Sequence, residues 1–171
     1  MRALLALCLC GLLSVPATAA QIDLTVEIPS LDVSEYHRPY VAIWIERPDN
    51  SVAANLAAWY QQKDTNEGAG TKWLADLRQW WRRSGREQSF PIDGVTGATR
   101  PVGQHKISFS SGKAPLGDLP AGSYRLVVEA AREVGGRELL TIPFEWPPQA
   151  SQHLSAQGKN ELGALALDLV P

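Results

Sequence analysis

Apolar and polar residues alternate strictly over residues 21–29, with Ile22, Leu24, Val26 and Ile28 on one face and Asp23, Thr25 and Glu27 on the other. Successive side chains of a strand point to opposite sides, so this spacing predicts a half-buried β-strand. Residues 40–46 repeat the alternation, but Ala42 and Trp44 make the second face apolar too, which predicts a central strand covered on both sides. Residues 51–60 allow a strand or a short helix, and the turn sequence Arg47-Pro48-Asp49-Asn50 before them favours a strand that returns as the hairpin partner. After a polar, glycine-containing loop, residues 71–84 carry Trp73, Leu77, Trp80 and Trp81 at i, i+4, i+7 and i+8, the stripe of an amphipathic helix. Thr71 is its candidate N-cap and Gly85 its candidate stop. Further strands are predicted at 105–109, 123–132, 137–146 and 161–170, with a Gly/Pro/Ser-rich loop over 110–121 and a hairpin signal at Gly135-Gly136.

Some seven strands with Pro/Gly turns and one inserted helix predict an all-β fold: a single antiparallel β-sandwich, immunoglobulin/fibronectin-III-like, over residues 21–171. Residues 1–20 read as a cleaved secretory signal. Arg2 supplies the positive end, residues 3–13 the apolar run and Ala17-Thr18-Ala19 the small-residue cleavage site. The apolar run is far shorter than the roughly 20 residues that span a bilayer, and no later stretch is apolar enough, so the chain is not expected to be membrane-spanning. Cys8 and Cys10 leave with the signal, which removes disulfide and thiol chemistry from the mature chain. The full chain has a net charge of −2, which excludes the basic footprint of a nucleic-acid binder. His37, His105 and His153 lack metal-ligand spacing, and there is no nucleophile elbow, phosphate-cradling loop or evident carboxylate pair to support independent catalysis.

Between the helix and the next strand lies Asp93-Gly94-Val95-Thr96-Gly97-Ala98-Thr99, followed by Arg100-Pro101. Small residues and turn formers dominate it, and it ends in a hydroxyl. It resembles the flavinylation motif, Asp-x-x-(Ser/Thr)-Gly-Ala-Thr, of bacterial FMN-binding domains such as those of sodium-pumping quinone reductase. The resemblance implies that Thr99 carries FMN through a phosphodiester, formed by a periplasmic flavin transferase that takes FAD and releases AMP. Five fixed positions, one of them two-fold degenerate, recur by chance roughly once in several hundred thousand starts. A plain reading remains beside it: a glycine-rich surface turn feeding the next strand.

Attachment requires a reachable hydroxyl, and Gly97 and Ala98 leave room for a visiting active site. Threonine is a weak nucleophile, so a base and phosphate-polarising groups must come from the transferase. Asp93 and Thr96 are expected to organise the turn through side-chain to backbone hydrogen bonds, and Arg100 to offset the phosphodiester charge. His105 follows within a few residues and is a candidate contact to the cofactor or its phosphate. Trp80 and Trp81 are read both as core and as neighbours of the isoalloxazine. Arg82, Arg83 and Arg86 form a solvated basic face or a contact for an acidic group.

A second resemblance rests on Tyr36-His37-Arg38-Pro39-Tyr40-Val41-Ala42-Ile43-Trp44-Ile45-Glu46, on Thr96 to Pro101, and on Val128-Glu129-Ala130-Ala131-Arg132-Glu133 through Gly135-Gly136-Arg137-Glu138-Leu139-Leu140. These runs look like a periplasmic family of unknown function whose genes often sit beside flavin transferases and PepSY-type membrane proteins. The resemblance implies flavin-dependent electron transfer outside the inner membrane, with the transferase and a PepSY-type redox protein as partners. The expected function is thus a periplasmic electron carrier with covalent FMN. The alternative is an immunoglobulin-like binding or structural module without cofactor.

Overall fold

The alternating stretch near the N-terminus becomes β1 (Gln21–Ile28), whose four aliphatic side chains are all buried while Gln21 is exposed and Asp23, Thr25 and Glu27 are half-buried. The computed structural model describes residues 19–64, 66 and 68–171. Residues 1–18, with both cysteines and nearly all of the expected leader, lie outside the described residues.

The two-faced stretch becomes β2 (Tyr40–Glu46), and the Pro-Asp-Asn turn folds it back onto β3 (Val52–Tyr60) as an antiparallel hairpin. Asn50 takes φ 68° at that turn, while Asp49 Oδ1 accepts the Ser51 backbone N–H at 2.9 Å and the Ser51 hydroxyl at 2.7 Å. Short polar side chains suit such positions because they tolerate left-handed backbone and bond to nearby N–H groups. Next come β4 (Thr96–Ala98), β5 (Gly103–Ser110), β6 (Gly122–Ala131), β7 (Arg137–Trp146), β8 (Gln152–Gln157) and β9 (Ala164–Val170).

Two sheets face one another, one with the order β5-β1-β9-β8 and the other β4-β3-β2-β6-β7. Ile22, Leu24, Val26 and Ile28 of β1 and Leu165, Leu167 and Leu169 of β9 meet Val41, Ile43 and Ile45 of β2 and Leu126 and Val128 of β6 in the core between them. The fold is the expected β-sandwich with one inserted helical segment. It differs from the expectation in having nine strands among the described residues, β4 and β8 being the additional ones, and in the parallel pairing of β3 with β4.

The inserted segment departs from one continuous helix over 71–84. A 3-10 helix spans Gly70–Asp76, Leu77 breaks the backbone at ψ 69°, α1 runs Arg78–Arg83, and Gly85 opens a further 3-10 turn, Gly85–Glu87. Thr71 lies inside the first turn, where Ala69 precedes it without a side-chain cap. With three residues per 3-10 turn, the buried row falls at Leu74, Leu77 and Trp80, and Trp73 is turned outward at 41% exposure. That row packs on Ala42, Trp44, Ala58, Tyr60 and Val127, forming a second core on the outer face of the five-stranded sheet. Glu129 of β6, itself fully buried, fastens the segment. Its carboxylate accepts the backbone N–H of Gln79 at 3.0 Å and Trp80 at 2.8 Å, and pairs with Arg137 at 2.6 Å. Trp80 Nε1 donates to Asn55 Oδ1 at 2.8 Å, so the polar edge of a buried indole is also satisfied.

A parallel partner requires a long crossover, and residues 61–95 supply it, carrying the helical segment over the sheet before β4 lies down beside β3. The sheet and this crossover together therefore decide where Thr96 to Thr99 stand.

Glu138 on β7 anchors the loop before β9, accepting the backbone N–H groups of Lys159 at 2.7 Å, Asn160 at 2.9 Å and Leu162 at 2.9 Å. Burial pushes its pKa up, but those backbone donors outweigh burial and hold it below its ordinary value. A carboxylate depressed in the folded state adds stability above its unfolded pKa and loses it as pH falls through the folded one. Glu138→Gln is expected to lose about 1–3 kcal/mol at neutral pH. It should also flatten the acid limb of the stability curve below the ordinary carboxylate pKa, which urea midpoints measured across that pH range will show.

Candidate functional site

The strands β4, β3, β2 and β6 end together at one edge of the sandwich, and the register fixes what stands in the row. Ala98 pairs with Tyr60, so Thr99 follows beside Gln61; Tyr40 begins β2, and it pairs with Ala131 on β6. Thr99, Gln61, Tyr40 and Ala131 all line one cleft of about 440 Å³. Its walls are the segment Tyr36, His37 and Arg38 before β2, the loop residues Arg132, Glu133 and Val134 after β6, and Trp73 and Asp76 from the 3-10 helix. The volume lies within the range of small-molecule sites.

Thr99 sits just beyond the last ladder pair of β4, half-buried, and its hydroxyl has no hydrogen-bond partner among the described residues. The preceding turn holds it there. Gly94 adopts φ +67°, a region that favours glycine, and the Ile92 N–H donates to Thr96 Oγ1 at 2.8 Å. Val95 is buried, and its carbonyl accepts the Ala58 N–H at 2.9 Å. At Gly97 a Cβ would stand 3.1 Å from Trp59 Cδ1, a tight contact, so glycine lets the strand lie flat against that indole without displacing it. The Gly97 carbonyl also accepts from Gln62 Nε2 at 3.1 Å, and Ala98 is exposed. Asp93 is exposed at the turn, and its carboxylate has no hydrogen-bond partner among the described residues.

The other residues singled out in the sequence stand apart from the cleft. Arg100 lies over the Trp59 ring at 5.0 Å, and His105 meets the same ring edge-on at 6.0 Å while its Nε2–H donates to the Pro101 carbonyl at 2.7 Å. Trp80 is fully buried on the outer face of the sheet, and Trp81, half-buried, stacks on Phe90 at 6.4 Å and 12°. None of these four lines the cleft. Arg82, Arg83 and Arg86 are exposed, Arg83 reaching the Asn50 carbonyl at 3.1 Å and Glu46 at 3.6 Å.

Apart from Thr99 and His37, the cleft's residues were not singled out in the sequence for a site; Trp73 was read into the helical stripe, and Tyr36, Arg38, Arg132 and Glu133 were quoted only as part of a family likeness. Tyr36, Trp73 and Val134 are exposed by 38%, 41% and 75%, so three of the large apolar side chains left open to solvent gather here. Lys72 Nζ stands 4.7 Å from the Trp73 ring. Arg132 is already committed to a buried pair with Glu161, at 2.8 and 3.1 Å, its side chain only 6% exposed. His37 is held between Glu35 at 2.9 Å and Glu133 at 3.5 Å. Arg38, by contrast, is exposed and has no ion-pair or hydrogen-bond partner among the described residues. Burial raises the Tyr36 phenol pKa, against the opposing fields of Arg132 and Arg38. Burial likewise raises that of Tyr40, whose hydroxyl donates to the Gly70 carbonyl at 3.2 Å. Aromatic walls, the Arg38 guanidinium and a hydroxyl on the rim together suit a planar aromatic ligand with polar substituents, with Asp76 and Glu133 setting negative charge on the same walls.

Residues 21–164 match a family described as predicted periplasmic protein (DUF2271). The chain belongs to this family. The DUF2271 match covers every strand but the last, including the three residues of β4 and Thr99. No curated protein and no solved structure matches this DUF2271 chain significantly. Among the described residues no helix is long and apolar enough to cross a membrane.

Proposed function

We propose that this periplasmic protein carries FMN on Thr99 and serves as an electron carrier between redox partners outside the cytoplasm. The observation that carries the reading is the Thr99 hydroxyl: without a hydrogen-bond partner among the described residues, half-exposed, and set at the rim of a cleft with aromatic walls. In the attachment step the Thr99 oxygen attacks the FMN phosphorus of FAD. The bond from that phosphorus to the AMP oxygen breaks, AMP leaves, and the hydroxyl proton passes to a base of a periplasmic flavin transferase.

The chain's own part is presentation. The short strand β4 fixes the backbone up to Ala98, and exposed Ala98 and Arg100 on either side leave the acceptor approachable. Bound flavin supplies the ability to take up and release electrons, which no side chain here offers. The residues present fit that group, since Thr99 offers the ester oxygen and Arg38 an uncommitted positive charge near it. A PepSY-type membrane protein is the proposed redox partner. A cofactor-free binding module is the competing reading, because a cleft of about 440 Å³ also suits a ligand held without a covalent bond.

Coexpression with an active periplasmic flavin transferase tests the proposal. The expected product is yellow and keeps its ultraviolet fluorescence in a denaturing gel; a colourless product alongside a flavinylated control substrate contradicts it.

A further inference from the structure

Resting on the reading that Thr99 bears FMN, we infer that the isoalloxazine does not swing free in solvent but seats in the cleft beside Thr99, against Tyr36, Tyr40 and Trp73. Four observations carry this. Thr99 itself lines the cleft, so a group tethered there is delivered to it. Exposed aromatic and aliphatic side chains are costly to leave open, yet Tyr36, Trp73 and Val134 are gathered on these walls. Trp73 has been turned outward by the 3-10 geometry of its segment, away from the buried row at Leu74, Leu77 and Trp80, so its indole stands 41% exposed on the cleft wall with Lys72 Nζ 4.7 Å from the ring. Arg38, on the same cleft as Asp76 and Glu133, has no ion-pair or hydrogen-bond partner among the described residues, whereas Arg132 is neutralised by Glu161.

The chemistry of the lining assigns separate tasks. Flat aromatic faces bury the ring system by offset or edge contact. A guanidinium favours whichever state of a bound ligand is more negative, and the electron-rich reduced flavin is that state. Arg38 is therefore a positioning and tuning residue that raises the flavin's midpoint potential, and Trp73 is the principal wall. Seating also keeps the ring's donor edge in a defined place for a partner protein, which a tethered but mobile flavin does not.

The experiment uses the full mature protein flavinylated by coexpressed transferase, with intact mass read first to establish loading. Emission intensity and anisotropy of the flavin are then compared with free FMN, for wild type, Trp73→Ala, Arg38→Gln and, as an exposed control outside the cleft, Val102→Ala. A seated ring gives wild-type emission quenched several-fold, with anisotropy set by tumbling of the whole protein. Trp73→Ala restores much of the emission and lowers the anisotropy, Arg38→Gln lowers the midpoint potential, and Val102→Ala changes neither. Loaded wild type that emits and rotates like free FMN overturns the seat and leaves the carrier reading standing. So does a Trp73→Ala protein indistinguishable from wild type. Absence of the added mass beside an active transferase overturns both.

Discussion

Thr99→Ala is expected to eliminate covalent flavin completely while leaving the fold unchanged. Thr99 lies beyond the β4 ladder, is half-buried and makes no hydrogen bond through its hydroxyl among the described residues, so its loss removes a nucleophile and little else. Substitutions at such positions ordinarily alter stability by no more than about 0.5 kcal/mol. Thermal unfolding of wild type and variant should therefore superimpose, while in-gel fluorescence and the added mass vanish. Thr99→Ser keeps an oxygen at the same point on the chain and should retain attachment. A variant that still acquires flavin would move the acceptor elsewhere, with Thr96 the nearest hydroxyl along the sequence; that oxygen already accepts the Ile92 N–H.

Glu161→Ala is expected to destabilise the protein by about 3–5 kcal/mol, the largest stability effect among the substitutions considered. Glu161 is 4% exposed and holds Arg132 by two hydrogen bonds, and its Oε1 also accepts the Gly136 N–H at 2.8 Å. Arg132 Nη1 is buried with no hydrogen-bond partner among the described residues, so the guanidinium already lacks part of its hydrogen bonding. An arginine cannot shed its proton to escape a buried, uncompensated position. The neighbouring glycines show how tightly the pair is enclosed. A Cβ on Gly135 would stand 2.5 Å from Arg132 Cζ, and one on Gly136 would stand 2.9 Å from Glu161 Oε1. The double variant Arg132→Met/Glu161→Leu removes both charges and should recover much of the loss, because replacing both ions avoids the stranded charge. Urea unfolding of the single and double variants measures both. Since Arg132 also lines the cleft, the single variant is expected to disturb that wall as well.

The strands that were legible in the sequence are those whose burial is local and regular. The alternation of β1 and the double-sided apolarity of β2 follow directly from their positions in the sheets, and β7 keeps its expected bounds because the glycines before it and the prolines after it punctuate the chain. β8 was not legible. Gln152–Gln157 is an edge strand with only Leu154 and Ala156 as apolar contacts, and pairing with β9 rather than its own pattern defines it. β4 was missed for a related reason: Thr-Gly-Ala has no strand signature, and a three-residue parallel strand exists only because the crossover returns it to β3. The helix was legible as a helix but not in its period. Reading Trp73 into a 3.6-residue stripe placed it inside, whereas the 3-10 turns put Leu74 there instead.

The site divides the same way. A continuous motif marked Thr99, because the residues around it are constrained over one short stretch: Gly94 by its positive φ, Gly97 by Trp59, Thr96 by the turn. The cleft was invisible, since its walls come from five separated segments, near residues 36–40, 61, 73–76, 99 and 131–134, brought together by strand register and the crossover. Proximity in sequence suggested Trp80, Trp81, Arg100 and His105 as neighbours of the acceptor. Arg100, between β4 and β5, lies over Trp59, β5 brings His105 to the same ring, and Trp80 packs between the helical segment and the sheet, so none of these lines the cleft.

The most direct test is tandem mass spectrometry of the peptide spanning residues 93–100, prepared from protein made with an active flavin transferase. The account predicts an increment of FMN less one water, localised to Thr99. An unmodified peptide, or the same increment on any other residue, contradicts it.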